Sequence, residues 1–180
     1  MDFSKAKQSR QKVIDLSKKG SIDDAIVPLV DKINSSSSYF TTSSCSGRIC
    51  VFQEKNGVQK KGCEWLYVTH SYGSNQELES CMSKITGDAF FKFEPFILHV
   101  QCSAIQNARV MHEAAIASGF RNSGISIGKR GKIMLAIRST HGLEVPLSKE
   151  GRLLINTEYL HHITELANEK MKENFKRIDR

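Results

Sequence analysis

The residues best equipped for chemistry lie in one run, Phe40-Thr41-Thr42-Ser43-Ser44-Cys45-Ser46-Gly47-Arg48-Ile49. Its hydroxyls both donate and accept hydrogen bonds, and Arg48 brings a planar fork of donors matched to a carboxylate or a phosphate. Ser- and Thr-rich segments bond their own backbone in competition with regular ladders. The run therefore reads as a turn between a strand-like Tyr39-Phe40 and a strand-like Ile49–Phe52, with Gly47 permitting the tight conformation. A turn of this composition also exists with no ligand at all.

Other polar groups interrupt β-like segments at Thr69-His70, at Glu94 and His99, and at Arg138-Ser139-Thr140-His141 with Glu144. Glu94 and Glu144 each shortly precede a proline, where irregular backbone re-aims side chains. A carboxylate in an apolar strand must find a partner or raise its pKa, and Arg48 and Arg138 both qualify as partners. His70, His99 and His141 titrate near neutral pH and can accept protons, although a strand histidine serves equally well as a bonded structural residue. Cys45 has no histidine tied to it by local spacing, and a thiol or metal enzyme built on Cys45, His70 and His99 lacks ligand spacing. Ser118-Gly119-Phe120-Arg121-Asn122-Ser123-Gly124-Ile125 offers two glycines and backbone donors near a helix end, a cradle for a small anion or carboxylate. The sequence has no GxGxxG loop after a strand, no Walker loop, no HExxH and no GxSxG.

The elements that must position these groups follow from periodicity. Residues 3–19 read as a basic amphipathic helix with Val13, Ile14 and Leu16 inward, stopped at Gly20. Ser21 and Asp24 form a capping-box pattern opening a second helix, whose apolar positions run from Ile22 to Ile33. Ser35–Ser38 is a short linker. Asn56-Gly57 signals a hairpin whose return strand is Glu64–His70. A short helix over Asn75–Lys84 precedes the β-rich Ala89–Cys102, where Pro95 marks an edge, a bulge or a break. Ser103 caps a helix ending at Gly119. A second half then repeats the pattern of the first: Phe120–Ile125, Lys132–Ser139, His141–Pro146 and a helix over 157–178. The expected fold is α+β, with two intertwined, duplicated α/β lobes over roughly 39–119 and 120–178. It combines a mixed β-sheet with flanking helices and is not a doubly wound Rossmann arrangement.

With 180 residues, 39% hydrophobic and 25% charged, the chain fits a single globular domain, 1–180. Its net charge of +7 is concentrated in three clusters. Lys5, Lys7, Arg10, Lys12, Lys18 and Lys19 load the first helix, Lys129, Arg130 and Lys132 fill one loop, and Lys170, Lys172, Lys176, Arg177 and Arg180 load the last helix. Such clusters either track a polyanion or form solvated helix faces. No apolar run reaches the length of a membrane span, and the first residues do not begin a signal peptide. Five cysteines without a CxxC pair point to free thiols in a reducing, cytoplasmic setting and to no metal.

The run Phe40–Ile49, the segment Trp65–His70, Phe93-Glu94-Pro95-Phe96-Ile97-Leu98-His99-Val100-Gln101-Cys102, the loop Ser118–Ile125 and Arg138-Ser139-Thr140-His141-Gly142-Leu143-Glu144-Val145-Pro146 occur in that order. Together they closely resemble the tRNA wybutosine-synthesizing protein 3 methyltransferases, over nearly the whole chain. Members of that family continue a little past the final helix, so the chain reads as a short or truncated form. The resemblance implies methylation of a ring nitrogen of a tricyclic guanosine derivative beside the anticodon of phenylalanine tRNA. That base carries an aminocarboxypropyl side chain, and S-adenosylmethionine is the methyl donor. It further implies that Arg48, with Ser43, Ser44 and Ser46, grips the substrate or the cofactor carboxylate, and that His70, Glu94 and His99 orient the base or accept a proton. Ser43, Ser44, Ser46, Ser123, Gly124 and Glu144 are implied on the cofactor side, with Trp65 either stacking on a ring or packing in the core. A non-catalytic, basic tRNA-binding accessory protein is the alternative.

Overall fold

The hydroxyl-rich run is strand rather than turn. In this computed structural model, which describes residues 3–11, 20–54 and 62–180, Tyr39–Glu54 forms one continuous strand, β1. The expectation failed because these hydroxyls find partners outside their own backbone. Thr41 Oγ1 accepts from Asn34 Nδ2 at 3.1 Å, Thr42 Oγ1 donates to the His99 carbonyl at 3.2 Å, and Ser43 Oγ bonds the His99 ring. With side chains paired laterally, the backbone stays free for the ladder. Gly47, at φ 108°, supplies a conformation that only glycine adopts cheaply.

The remaining elements are α1 (Phe3–Gln11), a 3₁₀ turn (Asp24–Ile26), α2 (Val27–Ser35), β2 (Cys63–Thr69), α3 (Asn75–Met82), β3 (Ala89–Cys102) and α4 (Ile105–Ala117). After them come β4 (Gly124–Ile127), β5 (Ile133–Arg138), β6 (Leu143–Pro146), β7 (Ser148–Lys149), β8 (Arg152–Leu153) and α5 (Thr157–Ile178). The expected inward residues Val13, Ile14 and Leu16, the cations Lys12, Lys18 and Lys19, and the Asn56-Gly57 turn lie outside the described residues. Strand order in the main sheet is β2-β1-β3-β5-β4, with β6 also paired to β3, and β7 and β8 form a separate ribbon. The fold is α+β, as expected. Where a mixed sheet was anticipated, the pairings β1–β2, β3–β5, β3–β6 and β4–β5 are antiparallel. The short links joining β1 to β2 and β4 to β5 leave no room for the crossover that a parallel pair needs.

Two capping expectations need correction. Ser21 and Asp24 do not form a capping box: α2 starts at Val27 with Pro28 in its first turn, where a missing N–H costs nothing. Asp23 instead accepts from the buried Ser46 N–H at 2.8 Å. Ser103 does not cap α4, whose N-cap is Ala104. Its N–H donates to the Ser38 carbonyl and its hydroxyl accepts from Asn107 Nδ2.

Pro95 sets the layout of β3. Before it, Ala89, Phe91 and Phe93 are buried; after it, the buried positions are Phe96, Leu98, Val100 and Cys102. The alternation therefore slips by one residue at Glu94-Pro95. The neighbouring strand changes at the same point, from β6, registered to Phe90–Phe93, to β5, registered to Ile97–Cys102. A residue without an N–H fits where one partner has ended and the next has not begun.

The chain divides into two compact units, one of Met1–Ser46, Phe96–Thr140 and Phe175–Arg180, the other of Gly47–Pro95 and His141–Asn174. Both draw on residues before and after 120, so they are not the chain-order halves 39–119 and 120–178. In the first unit Leu98, Val100, Leu135 and Ile137 form a buried cluster with Ala108 and Ala115 of α4 and Val30 and Ile33 of α2. Phe96 tilts against Phe120 at 5.1 Å. Truncating Leu98 here costs about 2–5 kcal/mol. The helix α4 ends at Gly119, φ 98°, where Phe120 N–H returns to the Ala115 carbonyl and Arg177 donates to the Gly119 carbonyl at 3.1 Å. In the second unit a Cβ on Gly73 would stand 3.4–3.5 Å from Thr164, Ile49 and Leu78. The Asn168 amide clamps that glycine, accepting from its N–H and donating to its carbonyl.

Candidate active site

In the first unit, α4 covers one face of the sheet, and His99 projects from the other. The β3–β5 register sets Ile97 opposite Arg138 and His99 opposite Ala136, so Arg138 and His99 share a face as diagonal neighbours. Arg138 Nη2 lies 3.0 Å from His99 Nε2, and His99 Nδ1 lies 2.8 Å from Ser43 Oγ. A guanidinium only donates, so His99 Nε2 is the acceptor. Nδ1 of the neutral ring then carries the proton and donates to Ser43. Burial first, and the Arg138 charge second, hold the His99 pKa below the usual imidazole value. The exposed Ser43 hydroxyl, its oxygen already accepting, is left to donate outward. Among the described residues no carboxylate pairs with Arg138. Sequence reasoning had considered Arg138 only as a partner for a glutamate. The signal that places it here is the β3–β5 register, which depends on how strands pair and not on any motif.

The second unit holds a four-charge network. Arg48 Nε contacts Glu94 Oε2 at 2.5 Å, Lys92 Nζ lies 3.8 Å from Glu94 Oε1, and Lys92 Nζ bonds Glu144 Oε2 at 2.9 Å. Lys92 and Glu144 are direct cross-strand partners. The bond and charge of Glu144 hold the Lys92 ammonium above its ordinary pKa. Arg48 also sits 4.8 Å above the Trp65 ring, a cation–π contact. Trp65 tilts against Phe52 at 5.7 Å, and Phe52 stacks on Phe90 at 5.7 Å. The Cys50 thiol is pushed up to about 12, by burial first and then by Glu94, and is therefore inert as a nucleophile at neutral pH.

The other expected site residues are spread more widely. His70 follows β2, one position past the last registered pair, Ile49 with Thr69, in a bend where Ser71 N–H donates to Thr69 Oγ1. Ser44 is half-buried on β1, and Ser46 is fully buried there. Ser123 Oγ donates to the Phe120 carbonyl at 2.6 Å and accepts from Arg138 N–H at 3.1 Å. Both of its roles are spent on fastening the loop to β5, while His112 Nε2 donates to the Ser123 carbonyl. Gly124 opens β4 with no atom within 4 Å of where a Cβ would stand. Glu144 is committed to Lys92, and Cys45 is half-buried.

A family model described as Methyltransferase TYW3 matches residues 4–180. The human tRNA wybutosine-synthesizing protein 3 homolog is 52% identical over 182 residues, spanning 99% of this chain and 70% of the relative. A Pyrococcus horikoshii relative, the tRNA(Phe) 7-((3-amino-3-carboxypropyl)-4-demethylwyosine(37)-N(4))-methyltransferase 1, is 36% identical over 99% of this chain and 93% of its own length. The solved PH1069 protein from Pyrococcus horikoshii superposes with a TM-score of 0.89 at 33% identity, covering 99% of this chain and 93% of that one. A match of this extent, in sequence and in fold, leaves one conclusion: the chain belongs to the Methyltransferase TYW3 family.

Proposed function

We propose that the chain transfers the methyl group of S-adenosylmethionine to N4 of 7-(3-amino-3-carboxypropyl)-4-demethylwyosine at position 37 of tRNA(Phe), the substrate named for its Pyrococcus horikoshii relative. Family membership makes it a methyltransferase of wybutosine synthesis, which sets the accessory tRNA-binding reading aside. The observation that carries the finer reading is the Arg138–His99–Ser43 series, which ends in an exposed donor beside a cation that no carboxylate among the described residues occupies.

This donor set suits the amino-acid carboxylate of S-adenosylmethionine, with Arg138 supplying charge and Ser43 a directed O–H. The space beside Gly124 admits a ligand against bare backbone. When bound, S-adenosylmethionine supplies an electrophilic methyl on a sulfonium. In the second unit, Glu94 is held by Arg48, and the Trp65, Phe52 and Phe90 rings pack against one another. Neither His99 nor Glu94 is poised to take a proton. The His99 lone pair is capped by Arg138, and Glu94 already receives Arg48 and Lys92. Catalysis here is positioning, and the N4 proton leaves to solvent. Ser46 and Ser123 serve the scaffold.

No described helix is long and apolar enough to cross a membrane. Five free thiols support a cytoplasmic setting. The test is transfer of label from methyl-labelled S-adenosylmethionine to tRNA(Phe) carrying the 4-demethyl precursor, with unmodified tRNA as the control. Label confined to the precursor is the expected result, and no label with folded, tRNA-bound protein overturns it.

A further inference from the structure

The first unit contains a cavity of about 680 Å³ that the proposed methyl-transfer residues do not account for. It lies where β1 begins, β3 ends and β5 begins, with α1 alongside. Phe3 and Phe40 line it, their rings 5.3 Å apart and tilted by 48°. Gln101 and Ser103 supply amide and hydroxyl groups, and Arg130 and Lys132 supply two exposed cations. The register explains the assembly, since Gln101 and Cys102 pair with Met134 and Ile133, one step from Lys132.

The cations stand on a closed turn rather than a loose loop. Gly128 N–H donates to the Lys132 carbonyl at 2.8 Å, Gly131 N–H donates to the Gly128 carbonyl at 2.9 Å, and Gly131 takes φ 73°. On the other side α1 is tied down by the Phe3–Phe40 contact and by the Lys7 ammonium, which donates to the Ser36 carbonyl.

None of the described lining residues is acidic. A sulfonium or an ammonium would meet two cations here with nothing to neutralise it, which argues against the methyl donor. Two cations beside two aromatic rings instead match a phosphate joined to a flat base. We propose that this cavity holds an extrahelical nucleotide of the RNA substrate, its phosphate on Arg130 and Lys132 and its base against Phe3 and Phe40. This inference rests on RNA being the substrate. It adds a second grip, separate from the residues assigned to methyl transfer.

The test is equilibrium binding of unmodified tRNA(Phe) by fluorescence anisotropy across a salt series. The wild type is compared with Arg130→Ala/Lys132→Ala, with Phe3→Ala and with Lys172→Ala, a charge removed from the second unit. Circular dichroism confirms the fold of each. The double variant is expected to bind roughly tenfold more weakly at 0.1 M salt, with a salt slope shallower by about one for the one phosphate released. Phe3→Ala should weaken binding roughly five- to a hundredfold with the slope unchanged. Lys172→Ala should change it less than twofold. Three results would each overturn the proposal: equal loss in Lys172→Ala, no loss in Phe3→Ala, or no loss in the double variant. The readout is binding, so a failure of methyl transfer would count against the proposed function alone, and the variants would still decide this site.

Discussion

The polar faces of the two units solve opposite electrostatic problems. In the second unit, Arg48, Lys92, Glu94 and Glu144 cancel one another, and the Trp65 ring takes up the rest of Arg48. In the first, Arg138 faces a neutral ring, and the Ser43 hydroxyl at the end of the series points to solvent. A compensated network gives orientation and some stability, whereas an uncompensated cation with a directed donor is incomplete until an anion arrives. The difference teaches where to look for chemistry: abundance of charge marks the second unit, but unsatisfied charge marks the first.

Substitutions can sharpen or break that contrast. The largest effect is expected from Arg138→Ala, which removes the proposed charge-assisted bond to the methyl donor. Methyl transfer at limiting S-adenosylmethionine should fall about 10- to 100-fold with little change in melting temperature. Arg138→Lys should recover little, because an ammonium cannot span the ring and a ligand with a planar fork. Glu94→Gln should act chiefly on the fold. Both members of its pair with Arg48 are about a third exposed (side-chain exposure 32% for Arg48 and 36% for Glu94), so the loss measured by urea unfolding should be about 1 kcal/mol. A Glu94→Gln protein of unchanged stability but no methyl transfer would put the central chemistry in the second unit. Trp65→Leu should cost about 1 kcal/mol through the Arg48 and Phe52 contacts.

The smallest effect is a pH dependence. His99 titrates below its unfolded value because burial and then Arg138 oppose its charging. As pH falls below about 6.5, the unfolded chain takes up a proton that the folded ring resists, so this residue's contribution to stability is complete above that value and is lost toward the folded pKa. Following the His99 ring signal by NMR should show a midpoint below the ordinary value that moves up in Arg138→Ala. A midpoint that does not move would remove Arg138 from the account.

Local chemistry was legible in the sequence; lateral pairing was not. The last helix, the α3 segment, β3 and the irregularity at Pro95 follow from periodicity and from a missing N–H. The run Thr41–Arg48 was misread because its hydroxyls were assigned to its own backbone, when they pair instead with Asn34 on α2 and His99 on β3. Glu94 with Arg48 was visible as one of two pairings, and the 2.5 Å contact between them decides it. Arg138 went unassigned for the same reason: which cation meets which strand depends on a pairing that no local motif encodes. The same limit hid the cavity, whose basic turn was conspicuous in the sequence while its aromatic wall, Phe3 and Phe40, came from the start of the chain.

The most direct measurement is a single-turnover comparison of Arg138→Ala and Glu94→Gln with precursor tRNA(Phe), together with calorimetric affinity for S-adenosylmethionine. The account predicts that Arg138→Ala loses affinity for the methyl donor and rate at limiting donor, while Glu94→Gln keeps donor affinity and loses stability. Full donor affinity in Arg138→Ala, with the loss appearing in Glu94→Gln instead, would contradict it.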